Sequence, residues 1–351
     1  MSEAVWAEQG TTPSAIEATL RGLLRERHEE NADFVPARVL NLVVVADREW
    51  QGEILNRLEK IEVYHPSRTI LCNVSPRGSG IDATVTIGGE DETRPGGLAL
   101  GRERVLVDVG PDMAGHLDSI VDPLVVTDLA TVVWAPHRHH ASVDSLMKLA
   151  QVVLLDSVEE ASIEAGLDRA TTLSERAYVV DLAWLRSTPW RERIAATFDP
   201  LQWRDELGAI SSVTIRHRPD SGVAALLLCG WLGSRLGWTP GHMIHQNGTM
   251  QGHAQARRSD VTLRLEPDPT MSAPGLAGIT IESASGMKIS LDRGTGGLSA
   301  RRTTRKGTES SWTVLGASRG EAGILGEGIR QALLRNATYE PALVSARAML
   351  G

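Results

Sequence analysis

Residues 39–47, VLNLVVVAD, form the stretch that most restricts the fold of this chain. The run is rich in valine and leucine and bounded by charge, which is typical of a strand buried on both faces. Apolar residues at helical spacing follow through residues 50–61, and RTILCNV at residues 68–74 predicts a second strand. A strand, a helix and a strand in this order indicate an α/β sheet domain.

Further apolar runs in the first half of the chain favour more strands. They are IDATVTI (81–87), ERVLVDV (103–109), PLVVTDLATVVWAP (123–136) and QVVLLDS (151–157). The connections around the runs at 81 and 103 are short for a crossover, so part of the sheet should be antiparallel. We expect a mixed α/β sheet domain over residues 36–178, preceded over residues 1–35 by an amphipathic helix and a linker.

The second half of the chain has a different pattern. Residues 181–198 and 221–238 have helical spacing, and alternating segments follow at VTLRLEP (261–267), GITIESA (278–284), MKISLD (287–292) and SWTVLG (311–316). Alternation is typical of an antiparallel sheet with one solvent-facing side. We therefore expect an α+β domain over residues 179–351, with a Gly- and His-rich loop at GHMIHQNGTMQGHA (241–254). A chain of 351 residues is long enough for two domains.

Composition argues against two classes of partner. The formal net charge of −8 opposes a general role on nucleic acid, and the basic run at residues 301–306 is expected to be a solvated charged face. The most apolar segment, residues 223–232, is about half of a membrane span, and no leader pattern opens the chain. The chain has two cysteines, which suits a reducing compartment. We expect a cytoplasmic protein.

No catalytic or cofactor motif is apparent. His137, His139 and His140, and a second histidine group at residues 242–253, lack the glutamate of a paired-histidine zinc signature. Neither a nucleophile elbow nor a Walker-type glycine loop is found. The sequence therefore predicts no enzyme activity, no metal site and no cofactor.

The cluster HPSR at residues 65–68 is the best candidate for binding. The Arg68 guanidinium, the Ser67 hydroxyl and the His65 ring could together hold a phosphate or carboxylate. Pro66 excludes a helical conformation for His65, so the cluster is also a helix-to-strand corner whose polar groups could satisfy loose carbonyls. Both interpretations stay open, and the first would suit a sugar-phosphate enzyme or sensor.

Tryptophans form the second candidate. Trp184, Trp190 and Trp203 are three of nine, in a chain with five other aromatic residues. They are expected to pack a helix onto the core, but an exposed tryptophan beside an arginine such as Arg191 would be a candidate anchor for a partner.

These segments together resemble the glucose-6-phosphate dehydrogenase assembly protein family, OpcA. The resemblance covers about residues 36–240 and rests on ARVLNLVVVAD with a following helix and HPSRTILC, on VDPLVVTDLATVVWAP, on DLAWLRSTPWRERIAATFDP and on LLLCGWLGSRLGW.

The resemblance implies a non-catalytic protein that binds glucose-6-phosphate dehydrogenase, favours its active assembly and so promotes NADPH production. It also implies an α/β chain with a protein partner and no cofactor. Neither Cys72 nor Cys229 matches a redox switch of such relatives, and both are expected to be buried, inert thiols. The partner surface is expected to include the exposed edge or the solvent-facing side of the second sheet.

Overall fold

A computed structural model of the chain describes residues 4–32, 34–62, 64–78, 80–89, 99–257, 259–294, 296–315 and 320–351. The chain divides into two compact units. Unit 1 comprises Met1–Leu155, Arg176–Val180 and Leu325–Leu334, and unit 2 comprises Asp156–Glu175, Asp181–Ile324 and Arg335–Gly351.

Unit 1 is built on a nine-stranded sheet. Its strands are β1 (Ala4–Glu8), β2 (Phe34–Pro36), β3 (Leu40–Asp47), β4 (Ser67–Val74), β5 (Ile81–Gly89), β6 (Ala99–Val109), β7 (Thr131–Trp134), β8 (Val152–Leu155) and β9 (Tyr178–Asp181). Its helices are α1 (Pro13–Glu30), α2 (Gln51–Glu62), α3 (Leu117–Val121) and α4 (His140–Leu146). The predicted strand, helix and strand are therefore β3, α2 and β4.

The sheet of unit 1 is mixed, which confirms that prediction. Its strands lie in the order β1-β5-β6-β4-β3-β7-β8-β9, with β2 paired to β6. Strands β3, β4, β6, β7 and β8 are parallel, whereas β5 runs antiparallel to β6 and β1 antiparallel to β5. The order β6-β4-β3-β7-β8-β9 is that of doubly wound sheets that bind dinucleotides.

Burial explains why residues 40–47 are so apolar. Every residue of β3 from Leu40 to Ala46 is buried, because helices or loops cover both faces of a parallel sheet. Helix α2 contributes Ile54, Leu58 and Ile61 to this core at helical spacing. Residues 1–35, predicted as a helix and a linker, also supply β1 and the start of β2.

Unit 2 is built on an eight-stranded sheet. Its helices are α5 (Ile163–Ser174), α6 (Leu182–Arg186), α7 (Thr188–Phe198), α8 (Leu201–Leu207), α9 (Gly222–Leu236), α10 (Gly320–Leu334, of which the part from Leu325 belongs to unit 1) and α11 (Tyr339–Ala348). Its strands are β10 (Ile210–His217), β11 (Thr239–Gln246), β12 (Thr249–Gln255), β13 (Asp260–Pro267), β14 (Leu276–Ser283), β15 (Lys288–Gly294), β16 (Gly297–Thr303) and β17 (Glu309–Leu315). The predicted helix over residues 181–198 is two helices, α6 and α7.

The strands of unit 2 lie in the order β11-β12-β13-β10-β14-β15-β16-β17. All neighbours are antiparallel except β10 and β13, which are parallel. The prediction of a Gly- and His-rich loop at residues 241–254 is wrong, because β11 and β12 form a hairpin there. Asn247 and Gly248 take left-handed φ angles of 52° and 78°, which a two-residue hairpin turn requires.

Helix α5 contacts α9 and α11, which places residues 156–175 in unit 2, although a single boundary after residue 178 would assign them to the first domain. The apolar side chains of the sheet, such as Val213, Leu263 and Ile281, are buried. The alternate positions carry hydroxyl and charged side chains, as expected for a sheet with one solvent-facing side.

Helices α9 and α11 approach so closely that only glycine fits at residue 230. A Cβ atom there would lie against the Ala342 carbonyl and 2.8 Å from the Ala346 amide nitrogen. Both neighbours are main-chain atoms, so they cannot rotate away as a side chain could.

We therefore expect Gly230→Ala to lower the free energy of unfolding by about 1–3 kcal/mol, because the two helices must separate. Gly22→Ala in α1 is the matched control, since a Cβ at Gly22 meets no atom within 4 Å. That variant should gain about 0.5–1 kcal/mol from the lost freedom of glycine. Urea unfolding of both variants measures the difference, and equal stabilities would contradict the packing described.

Candidate functional site

The HPSR corner lies between the end of α2 and the start of β4. Its arginine, Arg68, bonds to other residues of the chain. Arg68 is 8% exposed, and its Nε donates to Glu103 Oε2 at 2.5 Å. Its Nη1 donates to the Leu124 carbonyl at 3.0 Å. Glu103 is buried on β6, directly opposite Arg68, and also lies 3.4 Å from Arg38.

Ser67 and His65, the other two candidate residues of the corner, are also partly or fully buried. The Ser67 and Thr69 hydroxyls lie 3.1 Å apart, and Thr69 donates to Glu62 Oε1 at 3.2 Å. His65 is half-buried, and burial lowers the pKa of its ring, with a further lowering from Arg330. His65, Ser67 and Arg68 are therefore near one another without converging on a shared ligand position, and the geometry favours the structural corner.

Removing the Arg68 side chain should be strongly destabilising, because it leaves the Glu103 carboxylate buried with Arg38 as its remaining cation. We expect Arg68→Ala to lower the free energy of unfolding by about 3–5 kcal/mol. Arg57→Ala, which breaks an exposed ion pair with Glu53 one turn away on α2, should cost less than about 0.5 kcal/mol. Denaturant titration tests both; a stable Arg68→Ala variant that had lost its function would instead favour a binding role.

The carboxyl ends of β3 and β7 form the second candidate, because the strand order reverses there and doubly wound sheets bind ligands at that point. His139 Nε2 lies 3.4 Å from Asp47 Oδ1, and the His137 ring lies 5.3 Å from the Trp50 ring. His137, Arg138 and His139 have φ angles of 65°, 79° and 34°, which are costly for residues other than glycine. Burial lowers the pKa of His139.

A dinucleotide does not fit this position. The turn after β3 reads DREWQG, and a 3₁₀ turn at Arg48–Trp50 stands where phosphate-binding sheets carry glycines. Asp47 and Glu49 would place negative charge beside a pyrophosphate, and Arg48 is engaged by Asp108 at 3.4 Å. The side chains at this edge contact one another instead of forming a phosphate cradle.

Two of the three tryptophans predicted as core or anchor residues, Trp184 and Trp190, are in the core of unit 2. Trp184 and Trp190 are each 2% exposed, and Arg191 is 7% exposed. The Arg191 guanidinium stacks over the Trp184 ring at 3.4 Å and donates to the Trp184 carbonyl and the Thr188 hydroxyl. Burial lowers the pKa of Arg191 to about 9. Trp184 and Arg191 are in contact, and the burial of all three side chains leaves little surface for a partner.

Next to this group, Asp181 is a buried carboxyl with a perturbed pKa. It accepts hydrogen bonds from the Ser157 hydroxyl at 2.7 Å, the Ala183 amide at 2.9 Å and the Tyr339 hydroxyl at 3.2 Å. Burial raises its pKa to about 6, although the bonds from Ser157 and Ala183 act in the opposite direction. The carboxyl caps helix α6.

This pKa predicts a pH dependence of stability. Because the folded carboxyl holds its proton more tightly than the unfolded one, unfolding becomes easier as pH rises from about 4 to about 6. We expect Asp181→Asn to flatten the free energy of unfolding over that range, relative to the wild type. Denaturant titrations at several pH values measure the difference; parallel curves for the two proteins would contradict a raised pKa.

A third cluster was not predicted, and it lies at the surface of unit 2. The Arg302 guanidinium lies 4.4 Å from the Trp203 ring centroid and 5.4 Å from that of Trp312. Trp203 is half-buried and Trp312 is 36% exposed. The run at residues 301–306 was predicted as solvated charge, which holds for Arg301, but Arg302 is half-buried. These residues are distant in sequence, so no local pattern could bring them together.

The remaining sequence candidates are the histidine groups and the two cysteines. Within the described ranges, no group of three or more His, Cys, Asp or Glu side chains could hold a metal ion. Cys72 and Cys229 are free and buried, and burial raises the pKa of each thiol to about 12. In the same described part of the chain, none of the helices combines the length and the apolar character needed to cross a bilayer.

Comparisons with known proteins cover both halves of the chain. Residues 58–172 match the family described as glucose-6-phosphate dehydrogenase subunit N-terminal domain, under the name OpcA. Residues 177–343 match the C-terminal domain of the same subunit.

Two cyanobacterial relatives are named OxPP cycle protein OpcA. The protein from Synechocystis sp. is 28% identical over 146 residues, which are 40% of this chain and 31% of the relative. The protein from Synechococcus elongatus is 30% identical over 128 residues, which are 35% of this chain and 29% of the relative. The matched segments thus span less than a third of each relative's length.

Solved structures show a more distant likeness. The WlbA (WbpB) dehydrogenase from Thermus thermophilus has a TM-score of 0.46 at 13% identity, over 89% of this chain and 94% of that one. The scyllo-inositol dehydrogenase from Lactobacillus casei has a TM-score of 0.45 at 13% identity, over 90% of this chain and 95% of that one.

Proposed function

We propose that this chain, which belongs to the OpcA family of glucose-6-phosphate dehydrogenase subunits, is a non-catalytic assembly factor and allosteric activator of that dehydrogenase. It binds the dehydrogenase and favours the active oligomer, which promotes NADPH production in the oxidative pentose phosphate pathway of the cytoplasm. One observation carries the proposal: the two domains of the subunit family match residues 58–172 and 177–343, in the same order.

The geometry of unit 1 supports a role without turnover. Its doubly wound sheet carries DREWQG where a dinucleotide would need a glycine-rich turn. The strongest phosphate-binding candidate, Arg68, donates to Glu103 and to the Leu124 carbonyl. Because these donors are engaged within the chain, they are poorly placed to hold a sugar phosphate.

The mechanism that follows is thermodynamic linkage. A protein that binds the active oligomer more tightly than the inactive form shifts the population towards the active one. A tenfold shift needs only about 1.4 kcal/mol of difference in binding free energy, which one or two contacts can supply. The chain therefore needs a good recognition surface and no reactive group.

The proposal is tested by titrating the purified chain into purified glucose-6-phosphate dehydrogenase from the same organism. At dehydrogenase concentrations near the midpoint of its own assembly, NADPH formation should rise by at least about twofold and the sedimenting mass should increase. The chain alone should form no NADPH from glucose 6-phosphate.

Concentration separates assembly from direct activation. If the chain acts by mass action on assembly, its effect should fade when the dehydrogenase is far above its assembly midpoint. Activation that persists there would support the allosteric role and contradict assembly as the cause. An unchanged rate and an unchanged mass at every ratio would refute the proposed function.

A further inference from the structure

The surface around Arg302 combines the side chains that most often carry binding energy between proteins. Trp203 of α8, Arg302 of β16 and Trp312 of β17 form what we call the Trp–Arg surface, and Leu201 lies two residues before Trp203 at the start of α8. Tryptophan and arginine are the residues most enriched at binding hot spots. All four residues belong to unit 2.

The surface is exposed to an extent that internal packing does not explain. Leu201 is 79% exposed and Trp312 is 36% exposed, and none of the residues of α8 is buried. Strand β17 is the last strand of its sheet, paired on one side with β16. Large apolar groups grouped at a sheet edge in this way are typical of a surface that another molecule covers.

Arg302 is held in a fixed position. Its Nη2 donates to the Thr197 carbonyl at 2.7 Å, and its guanidinium packs beside both tryptophan rings. A side chain already held in place loses little conformational entropy when a partner binds, so the arrangement is preorganised.

The positive charge of Arg302 is not neutralised within unit 2. Among the described residues no carboxylate pairs with it, and its hydrogen bond goes from Nη2 to a neutral carbonyl. Burial lowers the pKa of this guanidinium, as expected for a cation that lacks an anion. A partner carboxylate could therefore complete a pairing that the isolated chain leaves open.

We propose that the Trp–Arg surface is where this chain binds glucose-6-phosphate dehydrogenase, with an aspartate or glutamate of the dehydrogenase pairing with Arg302 between the two tryptophans. The inference rests on the proposed function and assigns it a surface. Arg305 and Lys306, both exposed in the turn after β16, add positive charge that attracts an acidic surface.

A protein fits this surface better than a nucleic acid does. Single-stranded nucleic acid binds by stacking bases on free aromatic faces, whereas Arg302 already lies over a face of Trp203 and near that of Trp312. The net charge of the chain, −8, also repels a polyanion.

The test compares matched pairs of variants in binding to purified dehydrogenase, measured by calorimetry. Trp312→Ala and Arg302→Ala should each weaken binding at least about tenfold, as hot-spot truncations do. The controls are Trp50→Ala, a 41% exposed tryptophan of unit 1, and Arg301→Ala, which neighbours Arg302 in β16 but points to the opposite face of the sheet. Both controls should bind within about twofold of the wild type.

Leu201→Glu is a third variant, chosen because it should remain folded. Because the side chain is 79% exposed and opens a helix, glutamate there should leave thermal stability unchanged while repelling an acidic partner. It should also weaken binding at least about tenfold. Circular dichroism melts of every variant identify those that remain folded.

The outcomes separate the two proposals. If the wild-type chain does not bind the dehydrogenase, the proposed function fails. If the wild type binds and folded Trp312→Ala, Arg302→Ala and Leu201→Glu bind equally well, the inference about this surface fails while the function stands. Binding of single-stranded DNA by the wild type, or self-association of the chain, lost in Trp312→Ala would assign the surface to a different occupant and overturn the inference.

Discussion

The burial of both faces of the parallel sheet is the constraint on which unit 1 depends. Every residue of β3 from Leu40 to Ala46 is buried. Polar groups in such strands cannot bond to water, so they need partners within the protein. Asn41 therefore bonds the Val126 amide and the Val126 carbonyl, and Arg68 pairs with Glu103 across adjacent strands. Polar residues that the sequence suggests as binding residues serve here as hydrogen-bond partners for other buried polar groups.

Burial of both sheet faces also limits what the fold of unit 1 reveals about function. A doubly wound sheet supports many activities, and only the residues at the carboxyl ends of its strands choose among them. In this chain Asp47 faces His139 at that edge, and Trp50 stacks with His137. These contacts tie the strand ends to each other, which is consistent with a scaffold that presents surfaces to another protein.

Much of the fold could be predicted from the sequence, because buried strands and helices show regular spacing of apolar residues. The apolar run of β3 and the apolar stripe of α2 could both be predicted, since each depends on neighbouring residues. The hairpin of β11 and β12 was missed although Asn247 and Gly248 are a strong local turn signal. Strand β16 was missed because its arginines resemble a solvated charge run.

The candidate surface was less predictable for a physical reason. Trp203 lies on α8 and Trp312 on β17, and only the folding of the second sheet brings both beside Arg302. Conversely, Trp184, Trp190 and Arg191 are close in sequence but lie in the interior. Composition shows that tryptophan is abundant, whereas the tertiary structure decides which of the rings a partner can reach.

The burial of the two cysteines has a consequence for how this chain responds to oxidants. Thiolates are the species that peroxides and disulfides attack, and thiols with a pKa near 12 in a water-free interior form almost none at neutral pH. In the folded chain, neither Cys72 nor Cys229 is therefore in a form that a peroxide or a disulfide readily attacks.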